Sequence, residues 1–173
     1  MRVLLFASAL VLASCASRPD HSDAYATLVY VVRHAETQDD GTRDPGLSDE
    51  GEARAIRLVS HTGVELDAVF VSPLQRAQQT AAFAASRSGV TPSVVPIGAG
   101  GVEAHVAQTV DAVRALPHGS TVLVVGHSNT APAIAEALVR RGAGEIAEND
   151  YGTLYVLTLP FSDGPGTLLR RTY

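Results

Sequence analysis

Three short apolar runs constrain this chain more than any other feature: TLVYVV at 27–32, DAVFVS at 67–72 and TVLVVG at 121–126. Each is rich in β-branched residues and apolar at odd and even positions alike, so each reads as a strand covered on both faces. Helical patterns alternate with them: LSDEGEARAIRLVSH at 47–61, PLQRAQQTAAFAASR at 73–87, VEAHVAQTVDAVRAL at 102–116 and APAIAEALVRR at 131–141. Strands alternating with helices predict an α/β fold, a three-layer α/β/α sandwich around a mostly parallel central sheet. PSVVPI at 92–97 reads as a further strand, placed near an edge by Pro96. TLYVLTLP at 153–160 and TLLRRTY at 167–173 are two late strands close enough to pair antiparallel. Local punctuation agrees. Ser48 suits a helix N-cap, with Asp49, Glu50 and Glu52 at the positive end of the dipole. Pro73 fits a first helical turn, and Gly142 and Gly144 are expected to end the fourth helix. No internal repeat and no domain boundary appear after residue 26.

The first residues read differently. MRVLLFASALVLASC carries one cation, Arg2, then an apolar run from Val3 to Ala13 and small residues before Cys15. That run is shorter than the roughly 20 residues a membrane-spanning helix needs, and it fits a secretory signal peptide at 1–14. LASC resembles a bacterial lipobox, which implies a lipidated Cys15 as the first mature residue. Cys15 is the one cysteine of the chain, so no internal disulfide is available. In lipoproteins an aspartate after that cysteine favours the inner membrane. Ala16 stands here, so the resemblance points to the outer membrane facing the periplasm. Residues 15–26 then form a polar tether, and 27–173 the single domain. The only membrane contact expected is the lipid anchor.

Composition removes two classes of function. Hydrophobic residues make up 46% and charged residues 18%, which argues against disorder. The net charge is -5 and the thirteen cations, all arginine, are mostly scattered, so no phosphate-gripping basic patch for nucleic acid is expected.

The chemistry collects at strand ends, where ligands of open α/β sheets bind. After the first strand come Arg33, His34, Ala35, Glu36 and Thr37; after the second, Ser72 and, one turn into a helix, Arg76; after the run at 121–126, His127, Ser128, Asn129 and Thr130. Two arginines offer forked donors that match a phosphate or carboxylate. A neutral imidazole held by an acceptor on one nitrogen is a nucleophile at the other. A second imidazole, protonated, can donate to a developing oxyanion, and two helix N-termini add backbone N–H groups. The set suits an anion that undergoes attack, and phosphate fits it best.

VRHAET, VSPLQRAQQTA and VVGHSNT resemble the catalytic motifs of the histidine phosphatase, or phosphoglycerate mutase-like, superfamily, in that family's order. LSDEGEARA resembles the family's first helix, including its glycine. The resemblance runs from about Thr27 to Leu159. It implies that His34 attacks phosphorus in line to form a phosphohistidine, with Arg33, Arg76 and His127 holding the phosphoryl oxygens and Ser128 and Asn129 as further phosphate-binding candidates. Neither a metal nor a cofactor is implied, and no zinc-ligand spacing is present. Ala35 replaces the glycine of the commonest motif, as in the short phosphohistidine-phosphatase-like branch. Ser128 stands where the acid-phosphatase branch carries its proton-donating aspartate. The mutase-like branch takes its acid from the region after the second helix, where no carboxylate lies between Ala77 and Val102, so Glu103 is the candidate acid. Burial beside the phosphate would raise its pKa as that role requires; a helix N-terminus would also favour Glu103 without catalysis. Tyr151 resembles a position near the site in lipoprotein members. His105 is expected at the surface.

The expected function is a metal-independent phosphatase acting on a phosphomonoester or phosphoramidate. The alternative is an inactive phosphate-binding lipoprotein module of the same fold. A mutase is disfavoured, because the short chain lacks insertions for glycolytic phosphosugars.

Overall fold

The structure is a computed structural model that describes residues 26–63, 65–162 and 164–173. The expected signal peptide at 1–14, the expected lipidation site at Cys15 and the expected tether, apart from Ala26, lie outside the described residues. Ten elements run in the order β1 (Thr27–Arg33), α1 (Asp49–His61), β2 (Ala68–Val71), α2 (Gln75–Ser88), β3 (Ser93–Val94), α3 (Gly101–Arg114), β4 (Thr121–Gly126), α4 (Thr130–Val139), β5 (Thr153–Leu159) and β6 (Thr167–Thr172).

One sheet carries all six strands in the order β3-β2-β4-β1-β5-β6. β1 pairs parallel with β4 and antiparallel with β5, and β2 pairs parallel with both β4 and β3. The alternation of side chains along β1 splits the core in two. Val29 and Val31 join Ile134, Leu138 and Val113 under α3 and α4. Tyr30 and Val32 join Leu58, Ala77 and Ala81 under α1 and α2. This is the three-layer sandwich expected from the sequence. The buried face of α2 is alanine at 77, 81, 84 and 85, which lets that helix lie close to the sheet. No helix among the described residues is long and apolar enough to cross a membrane.

Several ends differ from expectation. Ser48 caps α1 as predicted, its Oγ accepting from Gly51 N at 3.2 Å. α2 starts at Gln75 rather than Pro73, and Leu74 offers no side-chain cap. Asp44, from the loop after β1, caps it from outside: its two carboxylate oxygens accept from Gln75 N at 3.0 and 3.2 Å. α4 ends without either glycine: Arg140 itself turns left-handed, at φ 58°. β3 is only two residues long and exposed, as Pro96 and an edge position lead one to expect.

Candidate active site

Strand register brings the functional residues to one level. Arg33 faces Gly126 across β1 and β4, and Val71 faces Val125 across β2 and β4. The next residues, His34, His127 and Ser72, therefore leave the sheet together. Gly126 O accepts from His34 N at 2.9 Å, tying two of these ends. The turn after β4 needs a glycine, since a Cβ on Gly126 would come within 2.6 Å of Thr130 Oγ1. That hydroxyl instead accepts from His127 N at 2.8 Å.

His34 is 7% exposed. Its Nδ1 lies 2.8 Å from Ala35 O. A carbonyl can only accept, so Nδ1 carries the proton and Nε2 keeps the lone pair in the neutral ring. Burial pushes its pKa down to about 4; the charges of Arg76 and Arg33 add to this, against the Ala35 hydrogen bond and Glu36. Ala35 N in turn donates to Thr80 Oγ1 at 2.9 Å, which fixes the His34 turn to α2. Glu36 shapes the loop, accepting from Arg54 Nε and Nη2.

The His127 ring sits 5.2 Å from the His34 ring, edge on. Its Nε2 is 2.8 Å from Ser72 Oγ. Burial, then the charges of His34, Arg76, His105 and Arg33, push its pKa down to about 3. These influences favour the neutral His127 ring, whereas the expected donation to an oxyanion uses the protonated form. An oxyanion between these cations would offset them and favour the charged imidazole.

Arg33 is 5% exposed. Its Nη1 donates to the carbonyls of Ala147, Glu148 and Asp150 at 3.1, 2.6 and 3.3 Å. The Tyr151 ring covers its guanidinium at 4.0 Å. Its buried Nε has no partner among the described residues. A donor left unmade in a buried site is costly, and an incoming oxyanion would satisfy it. Arg76 pairs with Asp44 at 3.5 Å.

The remaining expectations divide. Asn129 is exposed and makes no side-chain cap for α4, and Ser128 beside it is half-buried. Glu103 is exposed on the first turn of α3 and makes no side-chain hydrogen bond among the described residues, so the burial for which it was singled out is missing. His105 was expected at the surface but is 2% exposed, with Nδ1 3.3 Å from Pro96 O. No group of three or more His, Cys, Asp or Glu among the described residues could hold a metal ion. Sequence reasoning missed the carbonyl cradle of Arg33, the Ser72 hydroxyl on His127 and the Asp44 contact. The antiparallel β5 brings its start, rather than its end, to the site. Residues before a strand had to be searched as well as those after.

The paired neutral imidazoles have a consequence for stability. In the unfolded chain both titrate near their ordinary value of about 6.5; folded, at about 4 and about 3. Between these values the unfolded chain binds more protons, so acidification from about pH 6.5 towards pH 4 favours unfolding. The melting temperature of the ligand-free protein should fall more between about pH 7 and about pH 5 than that of the His34→Asn/His127→Asn protein. Equal losses in the two proteins would show that the pair is not held neutral.

Residues 29–96 match the family model described as histidine phosphatase superfamily (branch 1). No curated protein matches the chain. Among solved structures, the protein histidine phosphatase SixA complexed with tungstate is similar at TM-score 0.65 and 21% identity, covering 84% of this chain and 96% of that one. A SixA structure from Nakamurella multipartitia is similar at TM-score 0.59 and 24% identity, covering 86% and 96%. Phosphoserine phosphatase from Entamoeba histolytica, in complex with 3-phosphoglyceric acid, is similar at TM-score 0.61 and 16% identity, covering 85% and 98%. At these identities the structures establish the shared, phosphoglycerate mutase-like fold. The family model covers the β1-to-β3 part of that fold, the segment that carries Arg33, His34 and Arg76.

Proposed function

We propose that this chain, with its histidine phosphatase superfamily signature, hydrolyses a phosphomonoester or phosphoramidate through a phosphohistidine on His34. One observation carries the reading: Nδ1 of His34 is committed to Ala35 O, which leaves the lone pair on Nε2 of a ring that lies beside a second imidazole and within the field of two arginines. In this reading Nε2 attacks phosphorus in line. Arg33 Nε, Arg76 and His127 meet the equatorial oxygens, where charge builds in the transition state. Ser128 and Asn129, at the start of α4, are further candidates for those oxygens. The donor set needs neither metal nor cofactor for these steps. The domain would work from a lipid anchor on Cys15, at the outer membrane facing the periplasm, as the LASC sequence suggests.

A second reading keeps the same pocket without turnover, and the exposed position of Glu103 favours it. One experiment separates the two. The purified protein, with excess chelator, is mixed with para-nitrophenyl phosphate and quenched rapidly. The phosphatase reading expects release of phosphate and an acid-labile, alkali-stable phosphoryl adduct on His34. Absence of both, with orthophosphate still raising the melting temperature, would establish the binding module instead.

A further inference from the structure

Three described carboxylates around the site are already committed. Glu36 is bound by Arg54. Asp44 holds Arg76 and the start of α2. Asp150 accepts from Gly152 N, Thr153 N and Thr153 Oγ1 and pairs with Arg170. Glu103 is exposed and touches none of these residues. A phosphoester whose leaving oxygen is basic still needs a proton as it departs.

The phenol of Tyr151 is a proton-bearing group near the nucleophile that is not committed to a partner among the described residues. The ring of Tyr151 lies 6.0 Å from the ring of His34, centroid to centroid, and 4.0 Å from the Arg33 guanidinium carbon. Tyr151 is half-buried, and its hydroxyl makes no hydrogen bond among the described residues. A phosphoryl group on His34 and its leaving oxygen can span a gap of this size. Resting on the phosphatase reading above, we propose that Tyr151 is the catalytic residue that protonates the leaving group.

In the first half-reaction the lone pair of His34 Nε2 forms the N–P bond. The bond from phosphorus to the leaving oxygen breaks, and the phenolic proton of Tyr151 passes to that oxygen. In the second, a water oxygen attacks phosphorus and its proton passes to the phenolate. The N–P bond breaks and its pair returns to Nε2. Arg33, stacked on the ring, meets the negative charge that develops on the phenol between the two steps.

The competing account is that Tyr151 only covers Arg33. Tyr151→Phe keeps that ring and removes the proton, so it separates the two. The measurement is kcat/KM on phenyl phosphate, whose leaving oxygen needs a proton, and on dinitrophenyl phosphate, whose leaving group departs as an anion. The proposal expects Tyr151→Phe to lose about a hundredfold on phenyl phosphate and less than about tenfold on dinitrophenyl phosphate. Equal losses on the two esters, or no loss on either, would overturn the role of Tyr151 and leave the phosphatase reading standing. Wild-type protein that turns over neither ester would overturn both.

Discussion

His34→Ala is expected to lower kcat/KM by on the order of 10⁴-fold or more, the scale of losing a covalent nucleophile. Affinity for orthophosphate should stay within about tenfold, because in the proposed mechanism forked and imidazole donors rather than the nucleophile hold the oxyanion. Nε2 of His34 keeps the lone pair of a neutral ring, whereas Arg33 and Arg76 are held in place by partners other than His34. A second readout is internal. The charge of His34 is the largest named contribution, after burial, holding the His127 pKa down. His127 should therefore titrate at higher pH in the variant, as followed by NMR of its ring protons. Activity above about one per cent of wild type would sink the covalent route.

Gly51→Ala should have the largest effect on stability for the least change in the chain. A Cβ on Gly51 would stand 2.1 Å from Glu36 O and 3.0 Å from Glu36 C. Both are backbone atoms, so no flexible side chain can yield. Glu36 O also accepts from Ser48 N at 3.0 Å, the bond that seats the start of α1 on the loop carrying His34. Either the helix or the catalytic loop must move. The cost should be about 1–3 kcal/mol, as for overpacking elsewhere, and kcat should fall with it. Gly98→Ala is the control: nothing lies within 4 Å of its added Cβ, and its effect should stay within about 0.5 kcal/mol. Thermal unfolding of both variants is the check, and equal melting temperatures would mean that α1 does not rest on Glu36 as described.

The sandwich and three corners of the site were legible in the sequence because local signals carry them. Uniformly apolar β-branched runs mark buried strands, and parallel strands deliver their following residues to one edge. Arg33, His34, Arg76 and His127 were all expected at one sheet edge on these grounds, and the fold brings them together there. What escaped depends on long-range geometry. The direction of β5 relative to β1 has no local signature, so Tyr151 was placed near the site by resemblance alone and the carbonyls of 147, 148 and 150 were not expected beneath Arg33. The cap of α2 comes from Asp44, 31 residues earlier in the chain. His105 carries an ordinary surface letter, and only the fold of α3 buries it. Glu103 was chosen by its place in the chain, and the same helix turns it outward.

The position of β1 between β4 and β5 bears on how the chain is made. Both neighbours of the first strand are encoded far downstream, from Thr121 and Thr153. At about 5–20 residues per second, synthesis leaves TLVYVV with two bare edges for roughly 5–20 seconds before β4 exists. An apolar strand in that condition is open to pairing with other chains. The strand order that sets the site level with the sheet's edge thus also leaves the first strand of the newborn polypeptide unpaired until its second half arrives.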